Sequence, residues 1–284
     1  MINFAKRNLL VFFKDKASVF FSLMAVFIII GLYALFLGDV WASSFEGMSG
    51  VRYLMDSWIM AGLLAVTSVT TTMGAFGIMV EDKVKKITKD IYVSPLSRSS
   101  ITGGYILSSF TIGIVMSLVT LVLVELYVVA NGGALISFSV LLKVLGLIVF
   151  STFTNLSFVL FVVSFFKSNN AFATASSIIG TLIGFLTGIY LPIGQLPSAI
   201  QWVVKLFPIS HSASLFRQVM MADPAAVTFA GAPTEAVQSF NELMGVKFWF
   251  GTIEITPLMS IAYMLIAAAI FYALAGFNLS RKAK

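Results

Sequence analysis

Few residues in this sequence could carry chemistry. Its 284 residues include no cysteine and a single histidine, His211. That removes disulfides, thiolate nucleophiles and Cys-ligated metals, and makes an H-E-x-x-H zinc pair impossible. No G-x-x-x-x-G-K-[ST] run occurs, so the chain has no P-loop to cradle nucleotide phosphates. A Ser/His dyad would have to use His211, which follows Pro208 in a serine-rich run and reads as an interfacial polar residue. Enzymatic chemistry, a cofactor and a bound metal are therefore not expected. Glu125 is the one acid inside an apolar stretch. It could line a pathway or carry a proton, or, about one turn from the end of its stretch, reach lipid headgroups. Thr67, Thr71 and Gly74 share a helical face and could wall a route; the alternative is hydroxyls bonded to their own helix or packed between helices. Gly180, Gly184 and Gly188 form a doubled G-x-x-x-G, which reads as a packing or dimer seam.

The elements that hold these residues follow from composition. Hydrophobic residues make up 59% and charged residues 11%, against ~25% charged in an ordinary soluble domain. Mean hydropathy is +0.99. A soluble fold has no interior large enough for this much apolar side chain, so lipid is the solvent. The expected fold class is an all-α integral membrane protein with six transmembrane helices of about 20 residues each. They run over Ala17–Leu37, Ser57–Val80, Gly104–Ala130, Val140–Phe166, Ala171–Leu191 and Thr256–Phe277. The first is too long for a signal-peptide core. Thirteen of the 18 Lys and Arg fall in the N-terminus, loop 81–103, turn 167–170 and the C-terminus. That bias places both termini in the cytoplasm of a multi-pass cell-membrane protein, and the net charge of +6 then sets topology without implying nucleic acid.

Three segments lie outside the spans. Residues 1–16 carry Asn3, Lys6, Arg7 and Lys14 on one side and Ala5, Leu9 and Phe12 on the other, which predicts an amphipathic helix in the cytoplasmic interface. The single six-span domain fills 17–284. In its loop 81–103, Val84, Ile87 and Ile91 form an apolar stripe at i, i+3, i+7 along a helix from Glu81 to Ile91. Glu81 with Lys85, and Asp82 with Lys86, are spaced for ion pairs. Pro95 disfavours helix at Ser94, and Ser99 or Ser100 could cap the next helix. This is a surface for a partner protein or for lipid headgroups. Residues 192–255 are the long external segment. Helices over Ser198–Phe207 and Ile209–Met221, punctuated by Pro192, Pro197 and Pro208, predict a hairpin dipping into the outer leaflet; 222–251 reads as surface loop.

Together these pieces resemble the permease subunits of type-2 ATP-binding-cassette (ABC) exporters. The match rests on Glu81-Asp82-Lys83, on Ile91-Tyr92-Val93-Ser94-Pro95-Leu96-Ser97-Arg98 before Gly103-Gly104, and on Leu191-Pro192-Ile193, Leu196-Pro197, Phe207-Pro208 and Phe216-Arg217. The resemblance implies that the loop after the second span is a coupling helix seated in a cleft of a separate ABC ATPase, which binds the ATP and Mg²⁺. It implies polar docking by Glu81, Lys85, Lys86 and Lys89, packing by Val84, Ile87 and Ile91, a turn at Pro95, and a re-entrant external hairpin between spans five and six. It also implies a second permease chain, paired through the first and fifth spans, and an amphipathic drug, peptide or lipid as cargo. At Asp82-Lys83 the chain departs from the family pattern, in which a basic residue and a second Glu are common. A secondary transporter and a non-transporting membrane immunity protein are the alternative readings.

Overall fold

The computed structural model of the protein describes residues 1–43, 48–93 and 96–281. Its N-terminal part runs through α1 (Ile2–Lys14), α2 (Lys16–Ser22), α3 (Met24–Leu32), a π-helical turn over Tyr33–Leu37 and α4 (Gly38–Ser43). Then come α5 (Val51–Val84), α6 (Ile87–Tyr92), α7 (Arg98–Ala130), α8 (Phe138–Val163) and α9 (Asn169–Leu186). A 3₁₀ turn leads to α10 (Ser198–Lys205), α11 (Pro208–Met220), α12 (Ala222–Thr228) and α13 (Thr234–Leu243). The strands β1 (Trp249–Phe250) and β2 (Ile253–Glu254) pair antiparallel before α14 (Pro257–Arg281).

Four helices, α5, α7, α8 and α14, are long and apolar enough to cross a membrane. A fifth crossing results if the bent pair α2–α3 counts as one span. The sequence predicts one unbroken first span; instead the chain turns by 44° between α2 and α3. At that point Ser22 Oγ donates to the carbonyl of Val19 at 2.8 Å, and such back-bonding bends helices. The predicted fifth span also ends early, at Leu186. Gly188 has φ of 72°, and Ile189 N donates to Gly184 O at 3.0 Å, a left-handed glycine stop. Asn169 and Asn170 open α9, which lowers its apolarity.

α5 is the axis of the bundle. It packs against α7, α8, α9 and α11 and is buried along most of its length, whereas α14 is largely exposed. Hydroxyls in its middle bond to their own helix: Thr71 Oγ1 donates to Thr67 O at 2.6 Å and Thr72 Oγ1 to Ser68 O at 2.7 Å. Asn155 of α8 donates to Ser68 Oγ at 2.8 Å and reaches Ser212 of α11 at 3.3 Å. Three elements are thereby tied by polar contacts inside an apolar bundle.

The segment after α9 is more helical than the sequence predicts. Residues 222–251, read as surface loop, contain α12, α13 and β1. α11 is the buried element of this segment, packed on α5, α8 and α14. His211 is 3% exposed and so is buried within the protein. Its Nδ1 lies 3.1 Å from Ser260 Oγ and its Nε2 2.9 Å from Lys205 O. It thus ties α11 to α14 and to the end of α10.

α1 is docked on protein rather than lying only on lipid. Phe4, Ala5, Asn8 and Phe12 are buried against the start of α7. Gly103 and Gly104 admit it: a Cβ on Gly104 would meet Phe4 Cδ1 at 2.5 Å. Ile2, Leu10 and Phe13 remain exposed. α7 begins at Arg98, so its cap is Ser97, which accepts from Ser100 N at 3.2 Å, in place of the predicted Ser99 or Ser100.

Candidate functional site

A cavity of about 600 Å³ lies between α1–α3, α5 and α9. α5 supplies its inner wall with Thr70, Met73, Gly74, Gly77, Ile78 and Glu81. These recur at helical spacing, so one face of α5 runs down the cavity and ends at Glu81. Opposite stand Phe172, Ser176 and Gly180 of α9, with Phe12, Asp15 and Phe21 from the N-terminal helices. The wall is apolar with interspersed hydroxyls, as a site for an amphipathic guest requires.

The sequence predicts a neighbouring face of the same helix. Gly74 does line the cavity, but Thr67 and Thr71 do not. Both are fully buried; Thr67 donates to Leu63 O at 2.8 Å and sits 3.3 Å from Thr120 of α7. Their hydroxyls serve helix packing. Thr70 and Gly77, not singled out from sequence, take the place in the wall. The signal was a second small-residue stripe, Thr70, Gly74 and Gly77, one position around the helix. Glu125 is not in the cavity either. Its Oε2 accepts from Ile136 N at 3.1 Å and so fastens the loop after α7.

The doubled glycine motif divides. Gly180 faces the cavity with nothing within 4 Å of its would-be Cβ. At Gly184 a Cβ would lie 2.1 Å from Tyr190 Cε2, and Gly188 is the turn residue beyond α9. Gly184 and Gly188 therefore admit the chain's own return loop and do not form one stripe for another subunit.

Directly below the cavity α5 ends. The predicted continuous helix from Glu81 to Ile91 is interrupted at Lys85 and Lys86. Lys86 has φ of 61°, a left-handed conformation uncommon for a residue with a Cβ. α6 then starts at Ile87 in a new direction, so Val84, Ile87 and Ile91 do not form one straight stripe. Val84 is exposed, Ile87 is half-buried, and Ile91 packs against the main core. Glu81 pairs with Lys85 at 2.5 Å on the surface. The Asp82–Lys86 pair does not form, because Asp82 turns inward and is 2% exposed. Arg7 of α1 donates to both its oxygens, at 2.6 and 2.9 Å, and Tyr105 of α7 donates at 2.7 Å. The hydrogen bond to Asp82 holds the Arg7 guanidinium above its ordinary pKa. This is a bidentate charge-assisted pair joining α1, α5 and α7 where α5 gives way to α6. The side chain of Lys89 and all of Pro95 lie outside the described residues.

At the opposite end of α5 a second charged cluster joins helices. Arg52 donates to Asp56 at 3.0 and 3.1 Å, to Tyr127 at 3.2 Å and to Asn131 at 3.1 Å. It also pairs with Asp39 of α4. Both ends of the central helix are thus clamped by arginine, one to α1 and one to α4 and α7.

A family model described as "ABC-2 family transporter protein" matches residues 39–277. No curated protein matches the chain. The match takes in α5, the turn at Lys86, α9 and the buried helix α11, and it covers most of the sequence. The chain therefore belongs to the ABC-2 transporter family, as a membrane permease subunit of the ABC type.

Proposed function

We propose that the chain exports an amphipathic small molecule, peptide or lipid across the cell membrane, powered by a separate ABC ATPase that holds the ATP and Mg²⁺. In this reading α2–α3 and α9 complete six crossings, both termini are cytoplasmic, and α10–α11 form the re-entrant hairpin on the outer side. Two permease chains pair along α2–α3 and α9, so that their cavities meet. Cargo of the drug, antibiotic or peptide type fits the apolar, hydroxyl-dotted wall.

One observation carries the proposal: the face of α5 that walls the cavity ends, at Glu81, on the turn into α6. A helix transmits displacement along its axis, since its backbone hydrogen bonds are continuous. Force applied to α6 by an ATPase therefore moves the cavity wall itself. Glu81, Lys85 and Lys86 give the partner polar contacts, and Val84 and Ile87 give it apolar ones. The Arg7–Asp82 pair carries the same displacement into α1 and α7. Glu125, the acid that the sequence offers to a gradient-driven transporter, is instead engaged with the backbone of Ile136.

The test is co-reconstitution of the chain with its ATPase in lipid vesicles, with vanadate-sensitive hydrolysis as the readout. Cargo should stimulate hydrolysis several-fold. Ile87→Asp, which puts a charge at a half-buried apolar contact, should abolish the stimulation and leave basal hydrolysis in place. Full stimulation in the Ile87→Asp variant contradicts the assignment of α6.

A further inference from the structure

The cavity's charges have one sign. Among the described residues, its ionisable lining residues are Asp15 and Glu81, and no Lys or Arg lines it. This is unexpected at the basic end of the bundle. Lys14 and Lys16 flank Asp15 in sequence and Lys85 is paired with Glu81 at 2.5 Å, yet none of the three lines the cavity. Asp15 is held ionised: it caps α2 by accepting from Ala17 N at 3.1 Å and Ser18 N at 3.2 Å, and Ser18 Oγ donates to it at 2.7 Å. The rings of Phe12, Phe21 and Phe172 line the same cavity. Aromatic faces attract cations and give no such help to anions. An anion entering here would meet two carboxylates and, among the described lining residues, no cation.

We propose that the cavity selects a cationic amphipath: a positively charged head held near Asp15 and Glu81, with its apolar body against Met73, Phe172 and the small residues of α5. The inference rests on the reading of this cavity as the cargo site and adds the sign of the cargo's charge.

Tetraphenylphosphonium and tetraphenylborate share one shape and differ in the sign of their charge, and triphenylphosphine oxide is a neutral arylphosphorus probe beside them. Their binding to the full chain in nanodiscs is measured by equilibrium dialysis against empty nanodiscs, with no ATPase present. The cation should bind at least tenfold more tightly than the neutral probe. The double variant Asp15→Asn, Glu81→Gln should lose most of that preference, and Asn at position 15 retains the helix cap. Thr70→Lys, which adds a cation to the wall, should reverse the preference toward the borate. Equal binding of cation and neutral probe, tighter binding of the borate to the wild-type chain, or a preference that survives the double variant would overturn the inference. Because no ATPase takes part, a chain that binds the cation selectively yet never couples to hydrolysis would refute the exporter reading alone.

Discussion

At the scale of single residues, the decisive contacts join positions far apart in sequence. Asp82 has a helix-spaced lysine at Lys86, and that spacing is legible in the sequence. Its actual partner is Arg7, 75 positions away, because Asp82 points into the bundle and Lys86 sits beyond the helix break. Breaking a buried ion pair by removing one partner costs ~3–5 kcal/mol. The Arg7 side chain is 36% exposed, so solvent screening reduces the expected cost of Arg7→Ala to about 1–2 kcal/mol. A double-mutant cycle with Asp82→Asn, read by thermal unfolding in detergent, should show positive coupling between the two positions. Additive losses would mean the pair contributes nothing. Glycine behaves with similar selectivity. Gly184→Ala would drive a methyl into Tyr190 and should destabilise the chain by ~1–3 kcal/mol through overpacking. Gly180→Ala meets nothing and, inside α9, should leave the unfolding temperature no lower and raise it slightly. Equal effects in the two variants would contradict the division of the glycine motif.

At the scale of elements, amphipathic periodicity located the helices but not their rotation or their breaks. The face of α5 predicted to wall a route is not the face that lines the cavity, because Thr67 and Thr70 are equally polar and only the placement of α7 buries the former. The break at Lys86 has no glycine or proline to announce it; a lysine holds the left-handed conformation, which costs roughly 1–2 kcal/mol relative to the right-handed one. Lys86 is exposed, and glycine and valine both remove its ammonium, so the difference between the two variants reports on the backbone. Lys86→Gly should stabilise the turn by about 1 kcal/mol and couple better than Lys86→Val. Lys86→Val, β-branched and disfavoured at positive φ, should weaken cargo-stimulated hydrolysis without loss of the fold. Stimulation of equal size in both variants would show that the direction of α6 does not depend on this turn.

At the scale of the whole molecule, the apolar stretches alone sufficed for the membrane class and for α5, α7, α8 and α14. The bend at Ser22 and the left-handed stop at Gly188 are local but break runs that apolarity alone reads as continuous, whereas the burial of α11 depends on tertiary contacts, His211 with Ser260 and Asn155 with Ser68 and Ser212, that no local pattern encodes. The same holds for the cavity, whose three walls come from the N-terminal helices, α5 and α9 and meet only in the folded chain. What the assembled architecture adds is a continuous path: a cavity wall on α5, a charged joint at Asp82, a turn at Lys86 and a short helix beyond it. The central claim is that this short helix is the point where a partner ATPase applies force. The chain contains no cysteine, so a single one placed at Ile87 reports on that position without background. In the complex reconstituted with the ATPase, a short thiol crosslinker at position 87 should capture the ATPase subunit, with a yield that changes between ATP-bound and nucleotide-free states. Crosslinking that captures only lipid, or captures the ATPase with a yield indifferent to nucleotide, would contradict the account.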